Sequence, residues 1–350
     1  MNKAAYGLGL LTLLIAVTVA AQGSSSSRDD QALIVTASNT TKNTLLVYKT
    51  TGALLEQIPT GGEGGVSGNA GGIAQDRERL AVVNFGSGNV SVFDKDLEQN
   101  GLHLEKLVPA ITNPISVAFG HDHLYILTAT NIESHRIDRN GVESQADGEA
   151  RLMIGDGSAA QVGVLWGQLV ISEKSNAIET VNLNAQGAVS GSTKLAANIP
   201  SNVNAPFGLA TRGDDAYVTI AHANEISLVR NNAVLTVTGS GTQSAPCWVT
   251  LDGPFLFSSN SPSQSVSRYA VYGEKIVQDA AVVATFSGDP TDITYRSDLA
   301  AVIDANGSVS HVSIFNVDGD GNFTLKAQAT INNAATNGVA IVRPDHDFNW

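Results

Sequence analysis

Few side chains in this chain are placed to do chemistry, and most of those lie in short polar breaks between apolar runs. Glu173 and Lys174 stand in the break 172–176, His222 in 221–224 and Asp304 in 304–308, among Ser, Asn and Gly. A carboxyl and an imidazole are an acid–base couple, so Glu173 and His222 are the candidate catalytic pair, with Lys174 to balance developing negative charge. The plainer reading, a solvated and partly salt-bridged loop rim, outweighs the catalytic one. Lys174, Asn84, Asp292 and Asp304 are the candidate ligand contacts, with Asp289 and Asp292 expected in a connection rather than a strand.

Three other constellations fail as sites. His121-Asp122-His123 resembles a metal pair but has no third ligand in view, so it reads as a turn. Asp318-Gly319-Asp320-Gly321-Asn322 imitates a calcium loop, yet Phe323 and Ala329 stand where glycine and a bidentate Glu are needed, so a hairpin is expected. Cys247, the single cysteine, sits beside Trp248 with no base nearby and reads as a structural thiol. The segment Gly61–Gly72 is unusually rich in glycine. No Lys or helix follows it, which excludes a phosphate loop. It is either a backbone cradle for a ligand or a long flexible connection. No metal and no cofactor is expected.

The elements that must position these residues are strands. Val82-Val83-Asn84-Phe85, Leu124-Tyr125-Ile126-Leu127, Leu169-Val170-Ile171, Ala216-Tyr217-Val218 and Ala300-Ala301-Val302-Ile303 are short bursts rich in β-branched and aromatic residues, bounded by turn formers. No period of 3.6 appears beyond the N-terminal apolar run. Turn dipeptides recur at Thr51-Gly52, Asn100-Gly101, Asn140-Gly141, Gln186-Gly187, Asn231-Asn232, Tyr272-Gly273 and Asp320-Gly321, in steps of 40 to 49 residues. A second series, Ala70, Pro114, Ala160, Pro206, Pro246, Pro290 and Ala335, opens a further strand in each unit. Four strands at this period predict an all-β chain folded as a seven-bladed β-propeller of four-stranded blades. The first unit lacks its opening strand, so Asn337–Val342 at the far end is expected to close the first blade. Candidate ligand contacts then fall at the mouth of the central channel.

The string Ala81-Val82-Val83-Asn84-Phe85-Gly86-Ser87-Gly88-Asn89-Val90-Ser91-Val92-Phe93 resembles the strand–turn–strand of YVTN-type propellers. With Pro206-Phe207-Gly208, Cys247-Trp248-Val249, Gly288-Asp289-Pro290-Thr291-Asp292 and Asn337-Gly338-Val339-Ala340, the chain is similar to the lactonase-like propeller family, which includes 6-phosphogluconolactonase and muconate-lactonizing enzymes. The resemblance implies a lactone hydrolase or cyclase as the alternative to a non-catalytic binding module. The lactonizing relatives use a His, a Glu and arginines around the channel; Arg136, Arg151, Arg212 and Arg268 supply no matching set.

The chain of 350 residues carries 33 acids against 20 bases, a formal charge of −13. An acidic balance excludes a nucleic-acid partner, which needs a basic face. Met1-Asn2-Lys3, the apolar run Gly7 to Ala21 and small residues before Gln22 read as a cleaved signal over 1–21, followed by a flexible leader over 22–30. Residues 31–350 are then one domain of an exported protein, secreted or periplasmic, with no membrane span after cleavage, expected to be a monomer. Its partner is a small-molecule or protein ligand at the channel face.

Overall fold

The computed structural model describes residues 32–96, 101–200 and 205–343. The expected signal, the leader and Asn100 lie outside the described residues. Within them the chain is all-β, built as seven antiparallel sheets arranged as the blades of a propeller. The only helical turn among the described residues is the 3-10 turn Ala221–Ala223.

Blade 1 is closed as expected: Asn337–Val342 pairs antiparallel with Leu33–Ala37, Ile34 opposite Ile341 and Val35 opposite Ala340. Blade 3 departs from the four-strand plan. Its outer strand is broken into Gly141–Val142 and Gly148–Arg151, both paired with Asn131–Asp138. The openings expected at Ala70 and Ala335 lie just ahead of their strands, which begin at Ile73 and Asn337.

Why the second strands read as unbroken apolar runs is clear from packing. Each is covered on both faces by neighbouring blades, so alternation is lost; all six residues of His123–Thr128 are buried. Seven hydrophobic clusters result, one between each consecutive pair of blades. Ile34, Leu46 and Ile341 of blade 1 meet Leu299, Ile303 and Val312 of blade 7 across the closure. Val83 and Val92 of blade 2 meet Leu124 and Ile126 of blade 3.

The innermost strands face the channel and would leave open edges there. A side chain clasps a neighbouring backbone at each of the seven junctions. Gln161 of blade 4 donates to Leu209 O (3.0 Å) and accepts from Leu209 N (2.7 Å) in blade 5. Gln75 donates to Ile341 O, and Val339 N donates to Asp292, which ties blade 1 to both neighbours. Ser116 bridges blades 2 and 4, Thr219 Oγ1 donates to Cys247 O, and Tyr295 N donates to Thr250 Oγ1.

Candidate functional site

The channel mouth lies where second-to-third-strand turns and blade-to-blade connections gather. The candidate residues sit there differently from the expectation. Glu173, Asn84 and Asp304 are not turn residues; they end or continue second strands and are fully buried. Asp292 lies inside the strand Asp289–Arg296 rather than in a connection. The error has one source: these strands end in polar residues, which a hydrophobicity pattern reads as the start of a turn.

Asn84 accepts from Asn43 Nδ2 (3.0 Å) and Thr60 Oγ1 (2.8 Å) and donates to Asn89 and Ser91, so its amide holds blade 2 to blade 1. Asp304 accepts from His311 Nδ1 (3.0 Å) on the facing strand. Glu173 and His222 do not form a couple. Glu173 is buried beside Glu179, whose carboxylate accepts from Met153 N (2.9 Å) and Ile154 N (2.8 Å). Burial, then the neighbouring Glu179 carboxyl and the Asp156 charge, push the Glu173 carboxyl up to about 8. His222 stands exposed on its 3-10 turn, with no hydrogen bond or ion pair to Glu173 among the described residues. Lys174 turns inward: its Nζ donates to Gly68 O and Ala159 O, and burial lowers its ammonium pKa despite Asp156.

Gly61–Gly72 is the connection from blade 1 to blade 2, and it is tied down by contacts to other blades. It folds across the mouth as a plug. Asn69, 1% exposed, donates to Ile115 O (2.7 Å) of blade 3 and pairs with the Asn337 amide of blade 1. Its carbonyl accepts from Trp248 Nε1 (3.1 Å) of blade 6, and Ala70 N donates to Ala160 O (3.1 Å) of blade 4. Glycine is needed for close approach: a Cβ at Gly72 would lie 2.1 Å from Asn337 Oδ1, and one at Gly64 2.4 Å from the Asn39 backbone.

Beneath the plug the channel holds a chamber of about 160 Å³ lined by Gly71, Gln161, Trp248, Asp292 and Thr294. A second, of about 240 Å³, adjoins it across Gly71, Ile73 and Gln161. A β-bulge at the mouth end of successive inner strands turns the residue after it: Pro114/Ser116, Ala159/Gln161, Pro246/Trp248 and Pro290/Asp292. Bulges therefore aim Gln161, Trp248 and Asp292 into the chamber, and nothing in a single sequence marks a bulge. Burial raises the Asp292 carboxyl to about 7, against the opposing bonds from Ile293 N (2.8 Å) and Val339 N (3.1 Å). Trp248 meets Phe207 edge-on at 5.1 Å, fixing its ring beside Ala70, Ala160 and Cys247. No Lys, Arg or His lines either chamber.

No protein-family model matches the sequence, and a search of curated proteins found no relative. Among solved structures, the chain is similar to a putative 6-phosphogluconolactonase from Bacteroides fragilis (16% identity, TM-score 0.62, covering 89% of this chain and 98% of that one). A periplasmic gluconolactonase from Pseudomonas aeruginosa matches at 13% identity and TM-score 0.62, over 89% and 99% of the two chains. Virginiamycin B lyase from Staphylococcus aureus matches at 14% and 0.56, over 74% and 84%. The likeness is one of fold, a ring of propeller blades. No helix among the described residues is long and apolar enough to cross a membrane.

Proposed function

We propose that the chain is an exported binding module that holds a small, uncharged, hydroxyl-bearing molecule of the aldonolactone class in the chamber behind the plug. The observation that carries this reading is the chamber lining: one carboxyl, one amide and one indole face, with no cation and no acid–base couple. Asp292 and Gln161 keep lone pairs and an N–H beyond those that clasp the neighbouring blade, enough to orient hydroxyls. Both chambers are smaller than the ~300–1,000 Å³ of sites for drug-sized ligands, which favours a single small ring. A phosphorylated lactone is disfavoured, because its charge would enter beside Asp292 in a chain of charge −13. The structural neighbours named as lactonases make aldonolactones the first compounds to try.

A second reading rests on Asp292 itself. A carboxyl near 7 is in the range of a general base, able to take a proton from water attacking a lactone carbonyl. Calorimetric titration with D-glucono-1,5-lactone and D-sorbitol, beside a lactone-hydrolysis assay, separates the two. Binding without hydrolysis, weakened at least tenfold by Asp292→Asn and Trp248→Ala, is expected. Hydrolysis above the spontaneous rate that Asp292→Asn abolishes would replace the binding module by an enzyme. Absence of both would overturn the site. Export is checked separately: the chain recovered outside the cytoplasm should begin at Gln22.

A further inference from the structure

The face opposite the plug carries a feature that the channel does not use. Trp166 is 75% exposed, on the turn between the first two strands of blade 4. One side of its ring lies over Gly213, where an added Cβ would sit 3.6 Å from the indole; the rest is open. Beside it runs a cleft of about 330 Å³ walled by His121, Asp122, Trp166, Asn184 and Gln186. The indole therefore offers a flat apolar face at the edge of a polar cleft.

The polar groups around the indole keep hydrogen-bonding capacity that the protein does not use. His121 Nε2 donates to Leu165 O (2.8 Å), which leaves Nδ1 as a free acceptor. Asn184 Oδ1 accepts from Gln186 N (2.9 Å) and Ala188 N (3.0 Å), which leaves the Asn184 NH2 free. The Asp122 carboxylate and the Gln186 side-chain amide make no hydrogen bond among the described residues. One wall is tied to the neighbouring blade, where Tyr125 Oη of blade 3 donates to Gly187 O (2.7 Å) of blade 4.

The turn that presents His121 and Asp122 is also unusual. Both residues have positive φ, 48° and 56°, the two-residue hairpin geometry usually filled by Asn-Gly. The equivalent turns of blades 5, 6 and 7 also begin with a positive φ, at Gly213 (61°), Gly253 (55°) and Ser297 (60°).

We propose that this cleft is a second binding site, taking a neutral saccharide with one pyranose face stacked on Trp166 and its hydroxyls bonded by Asp122, His121, Asn184 and Gln186. A sugar ring offers an apolar C–H face for the indole and both donors and acceptors for the rim, the combination found here. The adjoining cleft of about 580 Å³ does not favour an anion, because Arg77, Arg79 and Arg139 stand there among Asp76, Glu78, Asp122 and Asp138.

Native gels cast with hydroxyethyl cellulose, xylan, laminarin, galactomannan or dextran test the site. At least one polysaccharide should retard the protein, with apparent affinity reduced tenfold or more by Trp166→Ala and only a few-fold by Trp166→Phe. Asp292→Asn should leave retardation unchanged, which keeps this site distinct from the channel. Both Trp166 variants alter an exposed side chain and should melt with the wild type. No retardation in any matrix, or retardation that Trp166→Ala does not weaken, overturns the proposal. Self-association or protein binding that depends on Trp166 in place of polysaccharide retardation overturns it as well.

Discussion

At the residue scale, the buried carboxyls define how this protein responds to pH. Asp292 and Glu173 have native values raised to about 7 and about 8, so between pH 4 and 8 the folded state binds more protons than the unfolded one. Stability is therefore greatest below the unfolded values and falls as pH rises through the native ones. Each group accounts for a loss of about 4–5 kcal/mol, at ~1.36 kcal/mol per pH unit. Glu173→Gln keeps the size and shape of the side chain and removes the charge. Thermal melts should show it level with wild type at pH 5 and more stable at pH 9; equal melting at both values would refute the buried-acid account. Asp292→Asn should flatten the same slope. Cys247 belongs to the same group: burial pushes its thiol up to about 11, so a thiol reagent at pH 8 should label the native protein slowly and the denatured chain at once. The environments of Glu173 and Asp292 were not legible in sequence. Glu173 reads as a rim residue until Glu179 and the walls of blade 4 surround it.

At the element scale, the closing strand and the plug are the sensitive parts. Gly338 has φ 75°, and a Cβ there would lie 2.6 Å from Ile73 Cγ1 and 2.9 Å from Ile73 N. Its carbonyl also accepts from Thr36 Oγ1 (2.7 Å). Gly338→Ala should cost about 2–4 kcal/mol, measured by denaturant unfolding, because neither the backbone conformation nor the space admits a side chain. The strand Asn337–Val342 was legible for a simple reason: a repeat with one missing member at its start and one spare at its end has a single consistent closure. The hairpin at Asp318–Asn322 was legible too, and its Asp318 Oδ1 accepts from Asp320 N and Asn322 N as an Asx turn does. The plug was visible only as an excess of glycine. Its contacts, from Asn69 to Ile115, Asn337 and Trp248, join residues 46 to 268 positions apart, and no local pattern records them.

For the whole molecule, the ring makes one cooperative unit of seven small sheets. Each blade buries its faces against its neighbours, and the Ile34–Ile341 pairing joins the first and last described strands in one sheet. Calorimetric and van't Hoff enthalpies of unfolding should therefore agree; a ratio well above one would mean that blades melt separately. Deleting the chain from Asn337 should open blade 1 and abolish the sharp transition. What the sequence determined by itself was the architecture, because strand, turn and repeat are written in local residue types at fixed spacing. The tertiary structure alone decided the site. A bulge re-aims one side chain, a distant loop closes the channel, and burial between blades turns Glu173 and Asp304 inward. Each effect depends on which surfaces meet after the ring has closed, and that meeting is set by contacts between residues far apart in the chain.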